Sequence, residues 1–263
     1  TSMFYRCYNL ESVDLENIKT DSATVLACMF DNNQKLATMN IANWNVSKCT
    51  NFGGMFNGCS KVAILDVSKW DTSAATNMDH MFYACSSVKS YDFSKWNTAK
   101  CTNMAEMFNR NSSVTLLDLS SFDTSKVENM VYMFRECGSL KEIKGQIDTS
   151  SCTNLNHMFS WSPSLTTVDL SKFNTSKCTD FSYMFEKVPA ETIDISSFTV
   201  SENANTKGMF LDASHVKMID LKGFQSIGEK AFENCNALRK LKNMDSIFYR
   251  HQTTMNAKNQ EVI

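Results

Sequence analysis

A column of carboxylates is the first feature of this sequence whose residue type and spacing could support binding chemistry. Asp recurs at the centre of short apolar–polar–apolar runs such as Leu65-Asp66-Val67, and a Ser, here Ser68, often follows two residues later. The alternation places each Asp on the exposed face of a strand, where like charges in adjacent strands repel one another. The nine positions of this column, which we call the Asp ladder, are Asp14, Asn40, Asp66, Asp92, Asp118, Lys144, Asp169, Asp194 and Asp220.

Two interpretations of the Asp ladder stay open. The carboxylates either accept hydrogen bonds from Ser or Thr on their own or the next strand, or they line a negative, hydroxyl-rich groove for a cationic or polar partner or for calcium. The repeat with Lys144 and Gly145 interrupts the ladder. As ligand-binding candidates on a concave sheet we select Asp66, Asp92, Asp118, Asp169 and Asp194.

Thiols form two further columns, which hold nine of the ten Cys. Ala, Val, Ser or Asn replaces Cys at equivalent positions, so these sites favour a small side chain or one that bonds a turn. The sequence has no CxxC pair and no His cluster with zinc-ligand spacing, which favours structural thiols and predicts no metal site. Disulfides between stacked neighbours stay open as an alternative, for which the candidate pairs are Cys59–Cys85 and Cys152–Cys178.

Aromatic and amide columns complete the set of chemically distinctive positions. Trp44, Trp70 and Trp96 could form a platform for a glycan or a peptide if they were exposed, but Phe at equivalent sites such as Phe122 favours a core position. A column of Asn four residues before each Met-Phe pair, such as Asn77, is typical of turn-bonding ladders in repeat proteins.

No catalytic pattern stands out, and we predict that the protein is not an enzyme and uses no cofactor. There is no GxSxG, P-loop, GxGxxG or HExxH motif, and equivalent carboxylates do not make a glycosidase pair, which needs two different environments. The net charge of −2 supplies no basic field for nucleic acid. No segment approaches the roughly 20 apolar residues that span a bilayer, and the first residues do not have the pattern of a signal peptide.

The element that must position these residues is a repeat. Met-Phe pairs occur nine times, from Met3-Phe4 to Met209-Phe210, at steps of 25 or 26 residues, and Ala231-Phe232 takes the same place in a tenth unit. Each unit contains a short strand, a Ser/Thr/Asn/Asp turn and an i, i+3, i+4, i+7 apolar pattern that predicts a short helix. Because one unit cannot bury its apolar face alone, the units must stack. We therefore predict an α/β repeat solenoid that is leucine-rich-repeat-like, with a parallel β-sheet on one face and a short helix or turn per repeat.

The repeat pattern also sets the expected boundaries. Residues 1–221 form nine tandem repeats, of which the first is truncated, residues 222–250 form a shorter final repeat and a cap, and residues 251–263 are a polar tail. The unit from Met81-Phe82 through Cys85, Asp92 and Trp96 resembles the BspA-like leucine-rich repeat family, in particular the repeat named for Mycoplasma lipoproteins.

This resemblance implies a bacterial protein that is secreted or attached to the cell surface and that binds rather than catalyses. It implies adhesion to a surface or matrix protein of a host or a neighbouring cell. From the charge and the apolar pattern we expect no nucleic-acid partner and no membrane insertion in this segment, and we expect a monomer. A glycan-binding module and a structural stalk or spacer are the alternatives.

Overall fold

The chain forms a solenoid of stacked repeats, shown by a computed structural model that describes residues 1–244 and 247–249. Six short strands are assigned: β1 (Leu116–Asp118), β2 (Glu142–Lys144), β3 (Met218–Asp220), β4 (Ser226–Ile227), β5 (Lys240–Lys242) and β6 (Phe248–Tyr249). They pair in parallel as β1–β2, β3–β5 and β4–β6. Each pairing joins equivalent positions of adjacent repeats, as expected when identical units stack in register.

The strand at the Asp ladder has the predicted alternation. In the repeat that holds Asp66, Leu65 and Val67 are buried and Asp66 is exposed. Pairs of residues one repeat apart, such as Ser12 with Thr38 and Thr192 with Met218, make single parallel bridges in line with these strands. The strands are short because only about three residues per repeat face a neighbour in extended conformation before the chain turns.

The Asn column forms a second ladder, as its regular spacing indicates. Consecutive members make parallel bridges from Asn51 through Asp180 to Asn205. Each side chain also bonds its own turn, since the Oδ1 atom of Asn51 accepts the N–H of Gly53 at 2.8 Å and that of Asn103 accepts the N–H of Ala105 at 3.1 Å. These amides therefore fix the conformation of the chain where it enters the Met-Phe segment.

The Met-Phe segment is not a helix, and the helix prediction for it was wrong: no helix occurs in the residues that the structure describes. The N–H groups of Cys28 and Phe30 donate to the carbonyls of Gly53 and Met55 in the next repeat, both at 2.9 Å, while the intervening N–H of Met29 closes a turn to Leu26 at 3.2 Å. An α-helix would direct every one of these donors four residues back along its own chain. Stacked repeats offer an external acceptor for alternate donors, and this pattern replaces the helix.

The core is a continuous column of stacked aromatic rings. The Phe of each Met-Phe pair stacks on the next, with centroids 5.3 Å apart between Phe4 and Phe30 and 5.6 Å apart between Phe210 and Phe232. Trp44, Trp70 and Trp96 are buried beside this column. The exposed Trp stripe required for a glycan platform is therefore absent, and the core interpretation of these residues is confirmed.

The Cys columns supply hydrogen-bond donors to the core. The Sγ atoms of Cys85 and Cys137 donate to the carbonyls of Phe56 and Phe108 in the preceding repeat, at 3.2 and 3.0 Å. Ser162 donates from the same position to the carbonyl of Phe134 at 2.8 Å, which explains why Ser and Asn also occur in this column. All ten Cys lie among the described residues and are free, including the two candidate disulfide pairs. The expected cap lies partly, and the polar tail of residues 251–263 entirely, outside the described residues.

Candidate functional site

The five candidate carboxylates of the Asp ladder are exposed, and the structure fixes their orientation. In each case the Oδ1 atom accepts the backbone N–H of the residue two positions later, at 3.1 Å for Asp66, 2.9 Å for Asp92 and 3.1 Å for Asp118. The same bond is 2.9 Å long at Asp169 and 3.0 Å long at Asp194. This arrangement is an Asx turn. The structural interpretation is therefore realised through backbone amides of the same repeat.

Hydrogen bonds from the Ser residues two positions later favour the ionised form of the five candidate carboxylates. The hydroxyl and the backbone N–H of the following Ser lower the pKa of Asp66, Asp92, Asp118, Asp169 and Asp194. Because hydrogen bonds to the charged form favour it, these carboxylates carry full negative charge at neutral pH. Asx-turn bonding and a negative surface thus coexist on one column.

The Asp ladder is interrupted at β2, where Lys144 occupies the position that Asp holds in the neighbouring strand β1. Asp118 of β1 pairs directly with Lys144 of β2, and the charge of Lys144 contributes, after the bonds from Ser120, to the lowered pKa of Asp118. Gly145 follows with φ of +94°, and a Cβ there would lie 2.7 Å from the carbonyl oxygen of Leu119. Asp118 and Asp169 therefore belong to two separate negative stretches.

A second surface lies at the Met-Phe turns, and sequence reasoning missed it. Positive φ recurs at two equivalent positions of each repeat, one directly before the Met and one two positions after the Phe, such as His80 at +52° and Ala84 at +53°. We define the turn face as the side chains at three positions of each repeat: the residue directly before the Met, and the first and second residues after the Phe. Positive φ costs an L-residue about 1–2 kcal/mol, and Gly54, Gly58 and Gly208 show that glycine serves at these positions.

Despite that cost, the central repeats place large aromatic and charged residues on the turn face. The rings of Tyr132, His157 and Tyr183 stack on one another with centroids 4.9 and 4.7 Å apart. Lys187 Nζ lies 3.4 Å from the centroid of the Trp161 ring. In the sequence, the available signal was an irregular column within otherwise regular repeats.

Separate ion pairs accompany these rings along the turn face. The ring nitrogens of His80 lie 3.2 Å from carboxylate oxygens of Asp79 and Glu106. The two carboxylates raise the pKa of His80 to about 9, so the imidazole is protonated at neutral pH. Arg110 Nε donates to Glu136 Oε2 of the next repeat at 2.8 Å.

Among residues 1–244 and 247–249, no group of three or more His, Cys, Asp or Glu side chains has the arrangement that holds a metal ion. In the same part of the chain no helical segment has the length and apolar character needed to cross a bilayer. A recess of about 490 Å³ lies over the ladder between Asp92 and Asp118, with Tyr91 and Ser121 at its margin.

Comparison with solved structures shows a leucine-rich-repeat-like solenoid. The chain is similar to a leucine-rich repeat protein from Bacteroides ovatus with 14% identity and a TM-score of 0.51, over 94% of this chain and 64% of that protein. The chain thus spans less than two thirds of that relative. A leucine rich cell surface protein from Faecalibacterium prausnitzii matches with 15% identity and a TM-score of 0.30, over 98% of this chain and 84% of that one.

Family comparison covers nearly the whole length of the chain. No curated protein matches it. Four overlapping stretches, residues 1–117, 60–167, 102–224 and 141–261, match one family model. The chain therefore belongs to the family described as "Mycoplasma protein of unknown function, DUF285".

Proposed function

We propose that this chain is a non-catalytic binding module of a bacterial cell-surface protein and that its Asp ladder engages a cationic patch on a protein ligand. The observation that carries the proposal is the row of exposed, ionised carboxylates with orientations fixed by Asx turns. Adjacent members stand about one strand spacing, roughly 4.8 Å, apart. The resemblance to BspA-like surface proteins supports adhesion to a host or neighbouring-cell protein as the biological role.

The fixed geometry makes such a surface suited to binding. A carboxylate whose Oδ1 already accepts a backbone N–H loses little rotamer freedom when a partner arrives, so the cost of ordering is small. Neighbouring ionised side chains also repel one another, and a cationic partner relieves that repulsion. Asp66, Asp92 and Asp118 stand in three consecutive repeats without interruption, so they form the centre of the proposed surface.

The test removes charge while keeping the fold. In the triple variant Asp66→Asn, Asp92→Asn and Asp118→Asn, each Asn Oδ1 can still accept the same backbone N–H. Binding of a fluorescein-labelled deca-lysine peptide is followed by fluorescence anisotropy at low salt. We expect the peptide to bind the parent and to bind this variant more weakly by a factor of about ten or more.

A matched control uses a second column of Asx turns. Asp71, Asp123 and Asp148 accept the N–H groups of the Ser residues two positions later at 3.0, 3.0 and 2.8 Å. Their triple substitution by Asn changes the net charge by the same amount at a different turn of the coil. Equal losses in both triple variants would refute a dedicated role for the Asp ladder.

Calcium binding and a spacer role give different results in the same experiments. If the ladder were a calcium site, millimolar calcium would raise the melting temperature of the parent but not of the ladder variant. If the regular stack served only as a stalk, the parent would bind neither deca-lysine nor calcium.

A further inference from the structure

We propose that the turn face between His80 and Lys187 is a second, independent binding surface and that it takes an acidic segment of a partner protein. This surface is distinct from the Asp ladder and opposite to it in the charge it presents. The inference therefore goes beyond the proposed function and does not depend on it.

The backbone conformation indicates that side chains on this face are present for a reason other than folding. The position before the Met has positive φ in every repeat, and glycine, which adopts it without strain, occupies it at Gly54 and Gly208. His80, Glu106 and Tyr132 occupy the same position with φ of 52°, 57° and 56°. Strained residues concentrate where a binding or catalytic site requires a particular side chain.

The side chains of this face are held rigid before any partner arrives. Tyr132, His157 and Tyr183 restrain one another by stacking. The guanidinium of Arg135 lies 5.5 Å from the Tyr132 ring centroid, and that of Arg110 lies 5.7 Å from that of Tyr83. Tyr, Trp and Arg dominate the energetically important positions of protein interfaces, and preorganised side chains reduce the entropy lost on binding.

The charge that this face presents to solvent is positive, although its charges are balanced in number. In the ion pair between Arg110 and Glu136 the side chains are 51% and 28% exposed, and in the pair between Lys187 and Asp212 they are 37% and 30% exposed. His80 is likewise more exposed than its partners Asp79 and Glu106. Among the described ion pairs of this face, only the contact between Arg135 and Glu136 has the reverse order. The cations thus lie outermost, and charge complementarity selects an acidic partner.

Trp161 provides a reporter on this surface. It is 42% exposed, whereas Trp44, Trp70 and Trp96 are buried. Lys187 lies over the Trp161 ring, so a carboxylate that binds Lys187 changes the environment of this indole and leaves the other three unchanged.

The experiment uses the whole chain and a fluorescein-labelled deca-glutamate peptide, with deca-lysine as the opposite-charge probe. We expect deca-glutamate to bind the parent in low salt. The double variant Arg110→Gln, Lys187→Gln should raise the dissociation constant for deca-glutamate about tenfold. The matched control is Lys69→Gln, Lys95→Gln, which removes two exposed cations next to the Asp ladder and should leave deca-glutamate binding unchanged. Unlabelled deca-glutamate should also shift the Trp emission of the parent but not of Trp161→Phe.

Three outcomes would overturn the proposal. The first is equal weakening in the two double variants, and the second is an unchanged Trp emission at saturating deca-glutamate. The third is association of the chain with itself at low salt that the Asp66→Asn, Asp92→Asn, Asp118→Asn variant abolishes, because the acidic partner would then be a second copy. Binding of deca-lysine reports only on the Asp ladder, so failure of one proposal does not imply failure of the other.

Discussion

Truncation of a ring in the middle of the Phe column tests whether that column holds the solenoid together. Phe108 is fully buried, and its ring stacks between Phe82 at 5.8 Å and Phe134 at 5.9 Å. Phe→Ala in a core costs about 3–5 kcal/mol through lost burial and the cavity left behind. Aromatic stacking adds roughly 0.5–1.5 kcal/mol for each pair beyond that burial. Because Phe108 has two stacking partners, we expect Phe108→Ala to lower the free energy of unfolding by about 4–8 kcal/mol.

A residue at the end of the column supplies the matched comparison. Phe4 is partly exposed and stacks only on Phe30, at 5.3 Å. We expect Phe4→Ala to cost about half as much as Phe108→Ala, since less area is buried and only one pair is lost. Phe108→Leu keeps most of the volume without the ring, so it should have an intermediate effect.

Urea unfolding followed by circular dichroism and by Trp fluorescence gives the free energies of the parent and the three variants. Near-equal losses for Phe4→Ala and Phe108→Ala would refute the argument, because position in the stack would then not matter. A loss for Phe108→Leu as large as that for Phe108→Ala would show that stacking rather than filled volume dominates.

Three further predictions concern protonation, thiols and backbone strain. The pKa of His80 is raised to about 9 in the folded chain. The contribution of His80 to stability is therefore fully present below its unfolded pKa near 6.5 and is lost as pH rises through about 9. The resulting fall in melting temperature between these pH values should disappear in His80→Gln, and a fall that persists in this variant would contradict the assignment. Burial raises the pKa of the Cys59 and Cys137 thiols to about 12. A thiol reagent at neutral pH should therefore label the exposed Cys7 and the partly exposed Cys28 before it labels the other eight thiols. Rapid labelling of all ten thiols in the folded chain would exclude this packing. At Ala84, where φ is +53°, the substitution Ala84→Gly should leave the stability of the protein unchanged or raise it by up to about 1 kcal/mol. The buried Ala105 lacks positive φ, so Ala105→Gly should lower the stability by about 0.5–1 kcal/mol. A destabilised Ala84→Gly variant would argue against strain at this position.

Repetition made much of this fold readable from the amino-acid sequence. Ten similar units act as an internal alignment, so alternation at Leu65-Asp66-Val67 predicted the exposed Asp, and Phe in place of Trp predicted the buried column. The turn-bonding role of Asn51 and its equivalents followed from their regular recurrence. These features depend on the period and on which residues a column tolerates, and both are properties of the sequence itself.

Tertiary structure alone decided where the backbone hydrogen bonds go. The i, i+3, i+4, i+7 spacing of Met78, Met81, Phe82 and Cys85 is the same for a helix and for the observed turns, because both bury the same side chains. The choice depends on acceptors 25 or 26 residues away, such as Met107 for the N–H of Phe82, and no local pattern encodes them. Those bonds between repeats impose the positive φ that turns His80 and its equivalents outward, so the turn face exists only once the units have stacked.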